Sequence, residues 1–232
     1  PNSFELPSAA EIDFFEEEYL ARDDGRRRTL IYVARDYEAA MEYWQQQAQK
    51  GKGTAYIESI RQRARSQSDH AFMRSLTGIE TTCSWFSIEN QHATYRVQPN
   101  EGPWAKELPP GEFDLQVAGV LRPVKDEEED PRFLQHRTLL GSKETPLIME
   151  ITRPYRWPDG RVLVLLNGST ILNYPLVNHQ NRMIAGKIID YCGTQERVTF
   201  VESDPSGLAI SRSSDKTYSG FEALTVWPIN VI

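Results

Sequence analysis

The chain has 232 residues, enough for one large domain or two small ones at roughly 100–200 residues per domain. With 39% hydrophobic and 25% charged residues it carries enough apolar surface to bury a core and is not a disordered tail. A net charge of -7 disfavours non-specific nucleic-acid binding, which needs a basic face, and equally a polybasic membrane-surface patch.

From the N-terminus, Ser8-Ala9-Ala10-Glu11 has the form of a capping box. Behind it Ile12, Phe15, Tyr19 and Leu20 recur at helical spacing, with Glu16, Glu17 and Glu18 between them. Asp23-Asp24-Gly25 ends that helix. Thr29 to Val33 is a short β-rich run of the kind buried in a parallel sheet. Helical spacing resumes from Tyr37 to Gln49, breaks at Gly51-Lys52-Gly53, and runs again from Thr54 to about Ser75.

From Thr82 to about Arg156 alternation replaces helical spacing, and eight prolines between Pro99 and Pro154 make long helices improbable. This stretch, about 80–155, reads as an antiparallel, loop-rich insertion packed on the α/β layer. Asp126 to Asp130 is an acidic, solvated loop within it. The α/β rhythm then returns. Val162 to Leu166 is a second buried strand, Asn167-Gly168-Ser169 a turn, and Leu176 to Tyr191 a helix followed by Gly193 as its C′ residue. Val198 and Phe200 flank Thr199 in a last strand, and residues 204–219 form a polar loop. The expected architecture is therefore a single α/β domain over residues 1–232, a doubly wound sheet carrying a β-rich insertion.

In such sheets function gathers at the carboxyl ends of the parallel strands. Here those ends are Ala34-Arg35-Asp36-Tyr37 and Asn167-Gly168-Ser169-Thr170. Neither has the flanking glycines of a nucleophile elbow. A Ser169–His179 pair is conceivable, but a turn serine and a surface histidine explain the same residues more simply. His70, His92, His136 and His179 are scattered without ligand spacing, and no phosphate-cradling glycine loop occurs. No metal and no cofactor is expected. Cys83 and Cys192 lack CxxC spacing; they fit two buried thiols, or one disulfide in an exported protein. Trp85, Trp104 and Trp157 would stack on a sugar or peptide if exposed, though tryptophan at such positions is more often core.

Two blocks carry a family resemblance. One is Phe4-Glu5-Leu6-Pro7-Ser8 with the acidic helix after it and Gly25 through Tyr37; the other is Gly160 through Ser169 with Leu172-Asn173 and His179-Gln180-Asn181. Together they resemble the bacterial domain-of-unknown-function family numbered 4350, related to class I glutamine-amidotransferase-like domains. The likeness covers about half the chain, at its two ends, and not residues 80 to 155. It implies a flavodoxin-like, three-layer doubly wound fold that begins after the family's first strand–helix–strand unit. Amidotransferases place a nucleophilic Cys between glycines where this chain has Arg35-Asp36-Tyr37, and their catalytic His follows a later strand, where it has Asn167-Gly168-Ser169. The resemblance therefore argues against that reaction. Gly220 through Asn230 resembles the segment that leads, in such proteins, into a transmembrane helix.

The sequence is thus read as a non-catalytic binding or scaffolding domain, part of a longer chain, held at a bacterial membrane through segments outside it and facing away from the cytoplasm. Its partner is a small molecule or a protein, not nucleic acid, and its site is the crevice near Arg35, Asp36, Asn167, Ser169 and Asn173. Two alternatives remain: a hydrolase using Ser169 or Asp36, and a carbohydrate- or peptide-binding module built on the tryptophans of the insertion.

Overall fold

The computed structural model describes residues 6–22, 24–34, 39–75, 80–109, 115–124, 134–168, 171, 179–193, 197–199 and 201. Residues 1–200 form one compact unit and 201–232 a second; the description below concerns the first.

Helix α1 spans Ala9–Phe15 and opens on the capping box: the Ser8 amide donates to Glu11 Oε2 at 2.7 Å, and the Glu11 amide to Ser8 Oγ at 3.3 Å. The helix then widens into a π-turn, Glu16–Leu20, closed by the Ala21 amide donating five residues back to the Glu16 carbonyl at 2.9 Å. Both ends of that turn, Glu16 and Leu20, are buried. Strand β1 is Arg28–Val33, helices α2 and α3 are Ala39–Lys50 and Thr54–Ser75, and β2, β3 and β4 are Glu80–Thr82, Phe86–Val97 and Leu115–Pro123. A 3-10 turn, Trp104–Glu107, precedes β4. Strands β5, β6 and β7 are Gln135–Gly141, Pro146–Arg153 and Trp157–Leu165, and helix α4 is His179–Cys192.

The chain is mixed α/β, with a four-stranded sheet in the order β1-β7-β6-β5 and a three-stranded antiparallel sheet β2-β3-β4. The two short apolar runs meet: β1 lies parallel to β7, in register from Arg28 on Gly160 to Val33 on Leu165. The remaining pairings in that sheet are antiparallel. The reason is chain length. Only Pro154, Tyr155 and Arg156 separate β6 from β7, and the Arg156 amide donates to the Arg153 carbonyl at 3.0 Å. So short a link can build only a hairpin, since a parallel neighbour needs a crossover of a dozen or more residues.

The described strands of residues 80–155, read as an antiparallel insertion packed on the α/β layer, pair antiparallel but divide between two sheets. The boundary near 155 falls inside the β6–β7 turn, and β5 and β6 are members of the same sheet as β1 and β7. Only β2, β3 and β4 form a second sheet. The expected last strand is also corrected: residues 197–199 lie in no strand, and Val198 is exposed. The acidic run 126–130, the polar loop 204–219 and the apolar tail 226–232 lie outside the described residues.

Both faces of β7 are buried, from Val162 through Leu165. One face carries Thr29, Arg161 and Glu150 and is met by α4, whose Tyr191 hydroxyl donates to Glu150 at 2.5 Å. The other is met by the second sheet: Tyr32 of β1 sits 5.5 Å, ring to ring, from Phe86 of β3. Thr145 Oγ1, just before β6, accepts from the Leu121 amide of β4 at 3.0 Å and ties the two sheets together.

The segment before the 3-10 turn is stitched to the end of β5 by Asn100 and Glu101 amides donating to the Gly141 carbonyl, both at 2.9 Å. This requires Gly102, whose φ is +90 and whose missing side chain leaves room for the Leu139 carbonyl; a Cβ there would stand 2.4 Å from that oxygen. Gly25 also has a positive φ, +68, but nothing within 4 Å of an added Cβ. Gly102→Ala is therefore expected to cost about 2–4 kcal/mol, and Gly25→Ala about 1 kcal/mol, the left-handed backbone penalty alone. Urea denaturation of the two variants measures the difference; equal losses would show that the Leu139 contact is not made.

Candidate functional site

The parallel pairing brings the two expected strand ends side by side. The Ala34 amide donates to the Leu165 carbonyl at 2.9 Å, extending the ladder one residue past β1. The Leu166 amide donates to the Leu147 carbonyl of β6 at 3.0 Å. Ala34, Asn167 and Gly168 are all buried at this edge. Of the expected site residues, Asn167 lies buried just past the end of β7. Arg35, Asp36, Ser169 and Asn173 lie outside the described residues.

Sequence reasoning missed two clusters of buried charge, both holding layers together. The first surrounds Glu16. Its carboxylate accepts from Trp85 Nε1 at 2.9 Å, and lies 3.1 Å from Arg156 and 3.6 Å from Arg153. It therefore joins the π-turn, the approach to β3 and the β6–β7 hairpin at one point. Trp85 packs edge-to-face on Trp157, ring centres 6.4 Å apart. The adjacent Glu17 and Glu18 are exposed, so composition alone does not single out Glu16.

The second cluster crosses the four-stranded sheet as a polar row. Thr29 of β1 pairs in register with Arg161 of β7, and Arg137 of β5 with Glu150 of β6. Arg161 Nε donates to Thr29 Oγ1 at 2.9 Å, and its Nη2 to the Tyr191 carbonyl at 2.5 Å. That carbonyl belongs to the last turn of α4, where helix acceptors lack partners and a cation is favoured. The Arg161 guanidinium also lies over the Tyr191 ring, 4.2 Å from its centre. Glu150 accepts from Tyr191 Oη and lies 2.9 Å from Arg137. Trp104 packs edge-on against the same ring, centres 5.5 Å apart. A lone Glu inside the apolar run Leu147-Ile148-Met149-Glu150-Ile151 was the available signal.

These surroundings shift four groups in one direction. Burial raises Tyr191 above its ordinary value of 10.0, helped by the hydrogen bond to Glu150 and its charge and opposed by Arg137 and Arg161. Burial likewise raises Tyr19, against the pull of Arg28. Cys83 and Cys192 are free thiols, both raised by burial above their ordinary 9.0. A thiol held protonated is a poor nucleophile. Trp85, Trp104 and Trp157 are core residues, so stacking on a ligand through these rings is ruled out in this conformation. His136 donates from Nε2 to the Trp85 carbonyl at 2.8 Å, and His179 is exposed at the start of α4. Among the described residues no group of His, Cys, Asp or Glu is placed to hold a metal ion.

No protein-family model matches this chain, and neither a curated protein nor a solved structure matches it.

Two expectations follow. Glu16→Ala leaves a buried indole donor and two cations without their acceptor, and should cost about 3 kcal/mol, whereas Glu18→Ala should cost under about 0.5 kcal/mol. Denaturant melts measure both, and a Glu16→Ala loss under about 1 kcal/mol would remove the cluster's structural role. The alkaline limb is set by the raised groups. Above 9.0 for thiols and 10.0 for tyrosines the unfolded chain releases protons that the native state retains. The contribution of these groups to stability is therefore constant below pH 9 and falls as pH rises beyond it. Tyr191→Phe should shallow that fall, which melts between pH 8 and about 11 would reveal.

Proposed function

We propose that this chain is a non-catalytic binding or scaffolding domain whose site lies at the adjoining carboxyl ends of β1 and β7. The observation that carries the reading is the commitment of its buried charge. Glu11, Glu16, Glu150 and Arg161 are the buried ionisable side chains among the described residues. Each is engaged structurally: Glu11 in the cap of α1, the other three in contacts between layers. A general acid, base or nucleophile must instead be available to a substrate. The protonated thiols point the same way.

The strand ends support the binding half of the reading. Open α/β sheets take ligands at the carboxyl ends of their parallel strands, and β1 and β7 end side by side. The finer architecture belongs to the same proposal: a flavodoxin-like, three-layer fold related to the family numbered 4350 and to glutamine-amidotransferase-like domains. What supports that reading is the parallel β1–β7 pair with α4 packed on it. The location belongs to the proposal too, an extracytoplasmic domain held at a bacterial membrane by segments outside this chain. No helix among the described residues is long and apolar enough to cross a membrane.

The test is a metabolite-library screen against the isotopically labelled chain by NMR, run beside a panel of chromogenic ester and amide substrates. The expected result is ligand-induced shifts centred on Ala34, Asn167 and Gly168, with no turnover. Hydrolysis that is abolished by Ser169→Ala or Asp36→Ala would overturn the reading and make the chain a hydrolase. Membrane attachment is read separately by fractionating cells that express the uncut protein; full recovery in the soluble fraction would remove it.

A further inference from the structure

Between Thr54 and Ser68, helix α3 turns polar side chains inward and its large apolar ones outward. Surface helices of globular proteins turn their apolar stripe to the core. In that stretch the one buried residue of α3 is Ser59, with Gln62, Arg63 and Ser66 half-buried on the same side. The outward side carries Tyr56, Ile57 and Ile60, which are 46%, 57% and 43% exposed. At 3.6 residues per turn these three and Ala64 share an arc of roughly 100°. Arg61, exposed and 3.1 Å from Glu58, borders the arc on one side, and the half-buried Arg63 on the other. The helix packs on α2 through the Gly51–Gly53 turn, so the stripe runs along the outer flank of a helical hairpin.

The charge around the stripe is the reverse of the charge of the whole. Residues 50–66 hold Lys50, Lys52, Arg61, Arg63 and Arg65 against a single carboxylate, Glu58, in a chain of net charge -7. Lys50, Lys52, Arg61 and Arg65 are exposed. Net charge alone argued against such a patch; its distribution supplies one. A second copy of this chain is a poor occupant, because a two-fold contact would set the same cations against each other. What fits three apolar side chains rimmed by cations, on a convex flank, is a planar surface that is apolar beneath and anionic at its rim. We infer that the α2–α3 hairpin docks on an anionic lipid bilayer, with Tyr56, Ile57 and Ile60 entering the headgroup layer and the lysines and arginines lying on lipid phosphates and carboxylates.

This is a peripheral contact made by the described residues themselves. It goes beyond the proposed binding role and does not rest on an anchor elsewhere in the protein. The experiment is flotation of the purified chain with vesicles of phosphatidylcholine, with and without about 30% phosphatidylserine. The chain is expected to float with the anionic vesicles and to be released by salt. Lys50→Gln with Lys52→Gln should weaken binding about fivefold per cation. Ile57→Ser with Ile60→Ser should abolish it while the far-UV circular dichroism melt stays unchanged, since both side chains face solvent. Absence from anionic vesicles, equal binding to neutral ones, or binding that survives both double substitutions would each overturn the inference. So would concentration-dependent dimerisation lost in the Ile57→Ser, Ile60→Ser variant, which would assign the stripe to a second copy. None of these outcomes bears on the ligand screen at Asn167, so the two readings fail separately.

Discussion

Strand β7 is buried on both sides, and the rest of the fold follows from that. Val162, Leu163, Val164, Leu165 and Leu166 are each wholly enclosed. Successive side chains of a strand point to opposite faces, so two covering layers are needed. Helix α4 supplies one and the sheet β2-β3-β4 the other. The edges of β7 need partners too: β1 lies along one and β6 along the other. An apolar run of five residues thus dictates a parallel neighbour, an antiparallel neighbour and two faces.

Burying a strand this deeply makes every polar group near it costly unless it is paired. The polar row answers that constraint within the sheet. Thr29, Arg161, Glu150 and Arg137 come from four different strands, and each meets its neighbour or the last turn of α4. Around Glu16 the same constraint is met between layers. One buried indole donor, Trp157 Nε1, has no hydrogen-bond partner among the described residues; it lies beside Trp85, whose own indole donates to a carboxylate oxygen of Glu16. The two charge clusters fix how α1, α4 and the hairpin sit on the sheet. Their chemistry is consumed in doing so.

The sequence makes plain the elements whose signal is local. Ser8 and Glu11 are three residues apart, and the cap they announce forms. Thr29–Val33 and Val162–Leu166 are short and continuously apolar, and they pair. What was hidden was non-local. Glu16 reads as one acid among three until Trp85, 69 residues away, is placed beside it. Arg161 reads as a turn residue before a strand until Tyr191, 30 residues on, covers it. The hairpin of β6 and β7 was obscured by the boundary drawn near 155, which falls inside its turn. Helix α3 was read from its spacing, but periodicity does not say which side of a helix faces water. At the candidate site, Asn167 and the others, from Arg35 to Asn173, were chosen by one rule, that function gathers at strand ends.

The β1–β7 ladder also governs when this protein can fold. Thr29 and Arg161, one of its register pairs, are 132 residues apart. Closing so long a loop is entropically slow, and parallel pairing across it gains nothing until both strands are present. During synthesis, at roughly 5–20 residues per second, β1 waits on the order of ten seconds for its partner. Through that interval Leu30, Tyr32 and the unpaired backbone of β1 stand open to other chains. The ribosome therefore releases a nascent segment that is aggregation-prone by construction. Early shielding, by a chaperone or by the α2–α3 hairpin that forms from local contacts alone, becomes part of what this topology demands of its cell.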